Sequence, residues 1–210
     1  ALIRIKLYLA NSARQFIVSN KKRTEVVGGY PWFSNDLRDM LASLPGLMAP
    51  SDNKKDYKAV LDTVAADFKN CNEKGIEMPY DDTQKSDSLF WFAFALQKFR
   101  KYTTDKAIWT NYGTVLKQIL TFCKENRCQV VQIHANGLAY AATHGKAHTW
   151  MDTMVDGKLV TQRPGYAVEV NALWYNSVMF ALDLAKKNND TEFVDEWSGM
   201  AEKIKASFNE

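Results

Sequence analysis

Two carboxylates in the stretch from Thr149 to Asn176 are the side chains best placed to do chemistry. Asp152 follows Trp150 and Met151 directly in a predicted loop, and Glu169 begins a run in which apolar residues recur with helical periodicity. Both acids are therefore expected where a helix end meets a loop. Such positions often carry binding and catalytic residues, because the helices hold the loop in place.

A second candidate region is an aromatic loop near the start of the chain. Residues 24–34 contain two adjacent glycines and a proline, which exclude a long helix, together with Tyr30, Trp32 and Phe33. Two interpretations compete. The rings could plug the core beneath the loop, which we favour, or one of them could form a platform for the flat apolar face of a ligand such as a sugar ring.

Composition limits the class of protein. The chain has 210 residues, 46% hydrophobic and 24% charged, which fits one globular domain over residues 1–210. The 27 basic and 24 acidic residues are interspersed and the net charge is only +3, so no nucleic-acid or membrane-binding surface is indicated. No apolar run is long enough to cross a bilayer, and the start lacks the pattern of a secretion signal.

The cysteines and histidines indicate neither a disulfide framework nor a metal centre. The cysteine count is odd and lacks Cys-x-x-Cys spacing, which favours free thiols in a reducing, cytoplasmic compartment. The histidines follow no metal-ligand spacing, so we expect neither a metal nor another cofactor. The residues concerned are Cys71, Cys123, Cys128, His134, His144 and His148.

Periodic apolar residues predict an all-α fold of about seven helices. A short β-like run is predicted at 130–133. The fourth and sixth helices are apolar on more than one face, so each must be covered on two sides. Alternation of such helices with amphipathic ones is expected when an inner ring of helices is wrapped by an outer ring. The predicted helices lie at about 5–18, 36–47 (capped by Asn35), 55–72, from near 87, 105–124, 168–188 and 191–208.

Several of these motifs, in this order, resemble the amylo-α-1,6-glucosidase domain of glycogen debranching enzymes. The similarity runs from about Phe16 to Asn176, and its last segment is long enough to be specific. The matching segments are Gly-Tyr-Pro-Trp-Phe at 29–33, Arg-Asp at 38–39, Leu-Pro-Gly-Leu at 44–47, Thr-Trp-Met-Asp at 149–152, Arg163, and Val-Glu-Val-Asn-Ala-Leu-Trp-Tyr-Asn at 168–176.

The resemblance implies a fold and an activity. The family's fold is an (α/α)6 toroid, and its members remove a single α-1,6-linked glucose from a glycogen branch with inversion. In inverting hydrolysis one carboxylic acid protonates the departing oxygen and a second carboxylate activates water. The expected partner is therefore glycogen or another branched α-glucan, and no cofactor is needed.

The resemblance also implies roles for individual residues. Asp152 matches the family's general acid, and Trp150 and Met151 could shield its carboxyl from water. Helix and loop capping is the simpler alternative for Asp152 and Glu169. Arg38 and Asp39 match residues that hold sugar hydroxyls, and Asp87 matches the acid that opens the next inner helix of the family. The other residues expected to bind substrate are Glu169 and Trp174, which match the segment lining the same pocket, and the aromatic residues Trp32 and Trp150.

Some positions depart from the family pattern. Asp36 and Leu37 replace a tryptophan and a glycine, and Ser88 and Leu89 replace a small, proline-containing run. The family's catalytic base is a glutamate near the end of the full domain, so the sequence suggests an N-terminal portion and an incomplete toroid. Exposed inner helices would then favour self-association or pairing with the missing C-terminal half.

Three functional hypotheses follow from the sequence. The chain could carry the acid of a debranching glucosidase, with activity that depends on the missing half. It could instead be a non-catalytic carbohydrate-binding or interaction module that kept the fold. A third possibility is a toroid hydrolase that cleaves a different glycosidic bond.

Overall fold

In a computed structural model, the protein is described at residues 2–20, 22–29, 33, 35–74, 85–128, 130–141 and 148–210. Over these residues it forms seven α-helices, a short 3-10 helix at Arg100–Tyr102, and three small antiparallel hairpins. The hairpins pair β1 (Ile17–Ser19) with β2 (Thr24–Val26), β3 (Val131–Ile133) with β4 (Ala139–Ala141), and β5 (Met154–Val155) with β6 (Lys158–Leu159). The helices are α1 (Leu2–Arg14), α2 (Leu37–Met48), α3 (Lys54–Lys74), α4 (Phe90–Phe99), α5 (Asp105–Lys124), α6 (Val168–Lys187) and α7 (Thr191–Phe208).

The first helix ends earlier than predicted. We expected a helix over 5–18, but α1 ends at Arg14, and Ile17 pairs with Val26 across the β1–β2 hairpin. The side chain of Asn20 accepts hydrogen bonds from the backbone N–H groups of Lys22 and Arg23, which closes the hairpin turn. The prediction was wrong because the apolar residues at 16–18 extend the helical pattern by chance, whereas β-branched residues also suit a strand.

The second and fourth helices also begin differently from the prediction. Asp36, not Asn35, caps α2, since its Oδ1 accepts a hydrogen bond of 3.0 Å from the backbone N–H of Asp39. The helix predicted from near Asp87 begins at Phe90, after a turn in which the Phe90 N–H donates to the Asp87 carbonyl. Asp87 therefore precedes α4 and lies in the turn.

Alternate helices form two layers. Helix α4 lies between α2 and α6, while α5 packs against α3 and α6, and α7 packs against α6. Helices α4 and α6 are thus covered on more than one side, as their sequences predicted. The all-α fold is confirmed, whereas closure of the layers into a toroid stays a prediction.

The apolar core has two parts that meet at α4 and α6. One joins side chains of α2, α3, α4 and α5, and the other joins α6, α7 and the β3–β4 hairpin. Leu89 and Trp109 pack against both parts, which makes the described core continuous. None of the described helices has the length and apolarity needed to cross a membrane.

Candidate functional site

The N-terminal ends of α2, α4 and α6 point the same way. Arg38, at the start of α2, bonds Asp87, just before α4. Phe90 at the start of α4 contacts Trp174 in the first half of α6, and Arg100 just after α4 pairs with Asp183 near the end of α6. The three helices therefore run parallel. Their N-terminal ends carry partial positive charge, which favours acidic side chains there.

The innermost contact at this end is a buried ion pair. Nε and Nη2 of Arg38 donate to Oδ1 of Asp87 at 2.9 and 2.5 Å. The indole Nε1 of Trp91 donates to the other carboxylate oxygen of Asp87 at 3.0 Å. The side chains of Arg38 and Asp87 are only 9% and 3% exposed. Because both oxygens of Asp87 are bound, the pair is fixed in orientation.

Lys85 connects this end of α2 to the loop that carries Asp152. Its Nζ lies 2.7 Å from Oδ2 of Asp36 and 3.3 Å from Oδ2 of Asp152. Burial alone would lower the pKa of Lys85, but the hydrogen bonds to Asp36 and Asp152 outweigh that effect and raise it. Nη1 of Arg38 lies 3.9 Å from the same Asp152 oxygen. We call Asp36, Arg38, Lys85, Asp87 and Asp152 the charged network.

Asp152 is the accessible carboxylate of the charged network. Its side chain is 41% exposed, and both cations face one oxygen, Oδ2. The loop before it is held at His148, whose carbonyl accepts hydrogen bonds from the N–H and the Oγ of Ser86 at 2.8 and 2.6 Å. Loops more than sixty residues apart in sequence are thereby joined beside the site.

Asp39 lies on the exposed side of α2 next to the charged network. Partial desolvation raises the pKa of its carboxyl, and the negative charges of Asp36 and Asp152 raise it further, against the opposing effect of Lys85 and Arg38. The structure thus brings together four residues that the sequence singled out for the site, namely Arg38, Asp39, Asp87 and Asp152.

Glu169 forms a different ion pair. It lies in the first turn of α6 and binds Arg163 through both carboxylate oxygens, at 2.5 and 3.0 Å. Within the described residues, Glu169 takes part in none of the ion pairs of the charged network. Both members are partly exposed, so the pair can still present polar atoms to a ligand.

The aromatic residues expected to contact substrate have different positions. Trp174 is fully buried, donates from Nε1 to the Gly137 carbonyl at 3.1 Å, and offers no surface to a ligand in this conformation. This corrects the expectation that Trp174 lines a pocket. Trp150 is 55% exposed, and the Asp152 side chain is 41% exposed, so the carboxyl stays accessible instead of being shielded from water as expected. Phe33 is 69% exposed, which contradicts the interpretation that it plugs the core, and Tyr30 and Trp32 lie outside the described residues.

Sequence reasoning missed two residues of the charged network, Asp36 and Lys85. An aspartate three residues before the first helical acid is a capping signal, so Asp36 could have been found. Lys85 carries no comparable signal, because its partners are 49 and 67 positions away. In the part of the chain that the structure describes, no group of three or more His, Cys, Asp or Glu side chains could hold a metal ion.

Comparison with known protein families gives a match over most of the chain. The model of the family described as amylo-alpha-1,6-glucosidase matches residues 11–210. No curated protein matches the chain, and no solved structure does.

Proposed function

Because the chain belongs to the amylo-α-1,6-glucosidase family, we propose that it takes part in removing the single α-1,6-linked glucose from branch points of glycogen. Asp152 would be the general acid that protonates the departing oxygen, and the reaction would proceed with inversion. Asp39 and Glu169 would hold sugar hydroxyls, and the buried pair of Arg38 and Asp87 would support Asp152.

The convergence of three segments on Asp152 is the observation that supports this proposal most. Helix α2 contributes Arg38, the turn before α4 contributes Lys85 and Asp87, and the 148–152 loop contributes the accessible carboxylate. Asp87 is buried, and both of its carboxylate oxygens accept hydrogen bonds. It therefore holds Arg38 in place next to Asp152. Groups fixed before substrate arrives need no reorganisation on binding, which is what an efficient site requires.

The polar groups around Asp152 suit a neutral, hydroxyl-rich ligand. Carboxylates accept hydrogen bonds from hydroxyls, and ammonium and guanidinium groups donate to them. Asp39 and Asp152 are accessible acceptors, and Lys85 is a partly exposed donor. Trp150, which is mostly exposed beside them, supplies an apolar face on which a sugar ring could stack.

The test is release of glucose from a branched limit dextrin. We expect Asp152→Asn to lower the rate by about 10²- to 10⁴-fold, the usual contribution of general acid catalysis. Asp156→Asn is the matched control, because Asp156 lies in the β5–β6 turn at φ 49°, a conformation that asparagine tolerates. Equal, near-zero rates for the wild type and Asp152→Asn would contradict the catalytic proposal.

A second candidate function, non-catalytic binding of the same glucan, is favoured by the cations around Asp152. Lys85 and Arg38 both face its Oδ2 and hold this side chain in place, as a group that only binds sugar hydroxyls would be held. Calorimetric titration with a branched oligosaccharide separates the two functions. A pure binding module would bind the ligand in the absence of turnover.

A further inference from the structure

Lys85 occupies a central position among the charges of the candidate site. Asp36, Arg38 and Asp39 surround it from α2, and Asp152 faces it from the 148–152 loop. Its side chain is mostly buried, at 19% exposed, although it precedes α4 in a polar stretch of sequence. A flexible lysine side chain held in this way loses rotamer freedom, so its contacts must offset that cost.

The two cations that face Asp152 differ in what else they bind. Arg38 already gives two N–H groups to Asp87, and its Nη1 approaches Asp152 only to 3.9 Å. Lys85 is closer, at 3.3 Å, and its ammonium carries three N–H donors. Asp36 and Asp152 account for two of these donors. Within the part of the chain that the structure describes, Lys85 can therefore hold Asp152 and still have one donor for a further oxygen.

We propose that Lys85 is a positioning residue of this site, which orients the Asp152 carboxylate and donates its third N–H to a hydroxyl of the bound α-glucan. The substrate class in this inference rests on the proposed function, whereas the orientation of Asp152 does not. Asp36 completes the arrangement by anchoring the ammonium to the first turn of α2, where its other oxygen caps the helix.

The charge of Lys85 fits this role. The hydrogen bonds to Asp36 and Asp152 raise its pKa against the effect of burial, so the ammonium stays protonated at neutral pH. A neutral amine would accept a hydrogen bond from a neighbouring hydroxyl and would not hold a carboxylate. An ion pair that served only to tie the loop to α2 would be satisfied by Asp36 and Asp152 and would leave glucan binding unchanged.

The first test measures the titration of Lys85 directly. Proteins labelled with ¹³C at the lysine ε-carbon are titrated by NMR as wild type, Asp152→Asn and Asp36→Asn. Removal of either carboxylate should lower the pKa of Lys85, and Asp36→Asn should lower it more because that contact is shorter. Asparagine still caps a helix, so α2 is retained. An unchanged Lys85 titration in Asp152→Asn would overturn the proposed orientation of Asp152.

The second test measures binding of isomaltose, a disaccharide with an α-1,6 bond, by calorimetry. Lys85→Met should weaken binding about tenfold, as expected for loss of one charged hydrogen bond, and Lys85→Arg should restore most of the affinity. Lys101→Met is the matched control, since it removes the partner of Asp52 from a similar 2.7 Å ion pair elsewhere. Thermal unfolding of each variant verifies that it is folded.

The outcomes separate this inference from the proposed function. If the wild type binds isomaltose and Lys85→Met binds it equally well, Lys85 has no role in ligand binding, but the proposed function stands. If the wild type does not bind isomaltose, the proposed function fails. The NMR titration then still decides whether Lys85 orients Asp152.

Discussion

Two charged networks at opposite ends of α4 use the same residue types in different ways. The charged network lies at the N-terminal ends of α2 and α4 and contains the buried Arg38–Asp87 pair. The distal network lies at the C-terminal ends of α4 and α6, and each of its side chains is at least a quarter exposed. It comprises Arg100, Asp105, Asp183 and Lys187.

Burial distinguishes the charged network, which can serve as a binding site, from the distal network, which joins helix ends at the surface. In the distal network every charge faces an opposite charge at the surface, where water screens the attraction. In the charged network a buried pair fixes Arg38, and two accessible carboxylates, Asp39 and Asp152, remain at the rim. A buried ion pair with accessible hydrogen-bond acceptors next to it can bind a ligand, whereas a fully paired, exposed cluster mainly joins helix ends.

The largest difference between the networks should appear when each loses its arginine. Arg38→Met leaves Asp87 buried without its charge partner and should lower the free energy of unfolding by about 3–5 kcal/mol. Arg100→Met removes an exposed partner and should cost less than about 1 kcal/mol. Urea denaturation of both variants measures the contrast. Equal losses would show that burial does not distinguish the two networks.

A smaller effect is expected from the indole that completes the buried pair. Trp91→Phe keeps an aromatic ring but removes the Nε1 donor to Asp87. Loss of a hydrogen bond to a charged group should destabilise the protein by about 1.5–3 kcal/mol. Trp109→Phe is a control of the same chemistry, because Trp109 packs by its ring against Phe193. If the two variants unfold at the same urea concentration, the Trp91–Asp87 bond contributes nothing to stability.

The smallest expected effects concern how protein stability depends on pH, and they should have opposite signs in the two networks. Desolvation and neighbouring acids raise the pKa of Asp39, so the folded protein loses stability as pH rises through that pKa. Desolvation also acts on Asp183, but hydrogen bonds from Arg100 and Lys187 outweigh it and lower that pKa, so its stabilisation is lost as pH falls.

Two asparagine variants test this difference in sign. Relative to wild type, Asp39→Asn should become more stable as pH rises from acid towards neutral, and Asp183→Asn should become less stable over the same change. Urea midpoints measured from acid to neutral pH give both slopes. Slopes of the same sign would remove this distinction between the two networks.

Helices with clear terminal signals could be predicted from the sequence. The bounds of α5 and α7 are confirmed, because Thr104 and Asp190 cap their first turns and the apolar period holds to the end. The end of α1 could not be predicted, since Ile17 fits a helical stripe as well as a strand. Only its pairing with Val26 decides between them.

The candidate site could be predicted in part. Motif resemblance selected Arg38, Asp87 and Asp152, and these residues do lie together in the structure. The position of Lys85 depends on contacts between distant segments, which periodicity does not encode. The resemblance put Trp174 in a pocket-lining segment, whereas packing against Phe90 and Trp197 buries its indole ring.

The double hydrogen bond from Ser86 to the His148 carbonyl has a mechanical consequence. Lys85 is one residue from this junction, and Asp152 is four residues from it along the other loop. A displacement of either loop is therefore transmitted to the other. The ammonium of Lys85 and the carboxylate of Asp152 would therefore move together, with the distance between them preserved.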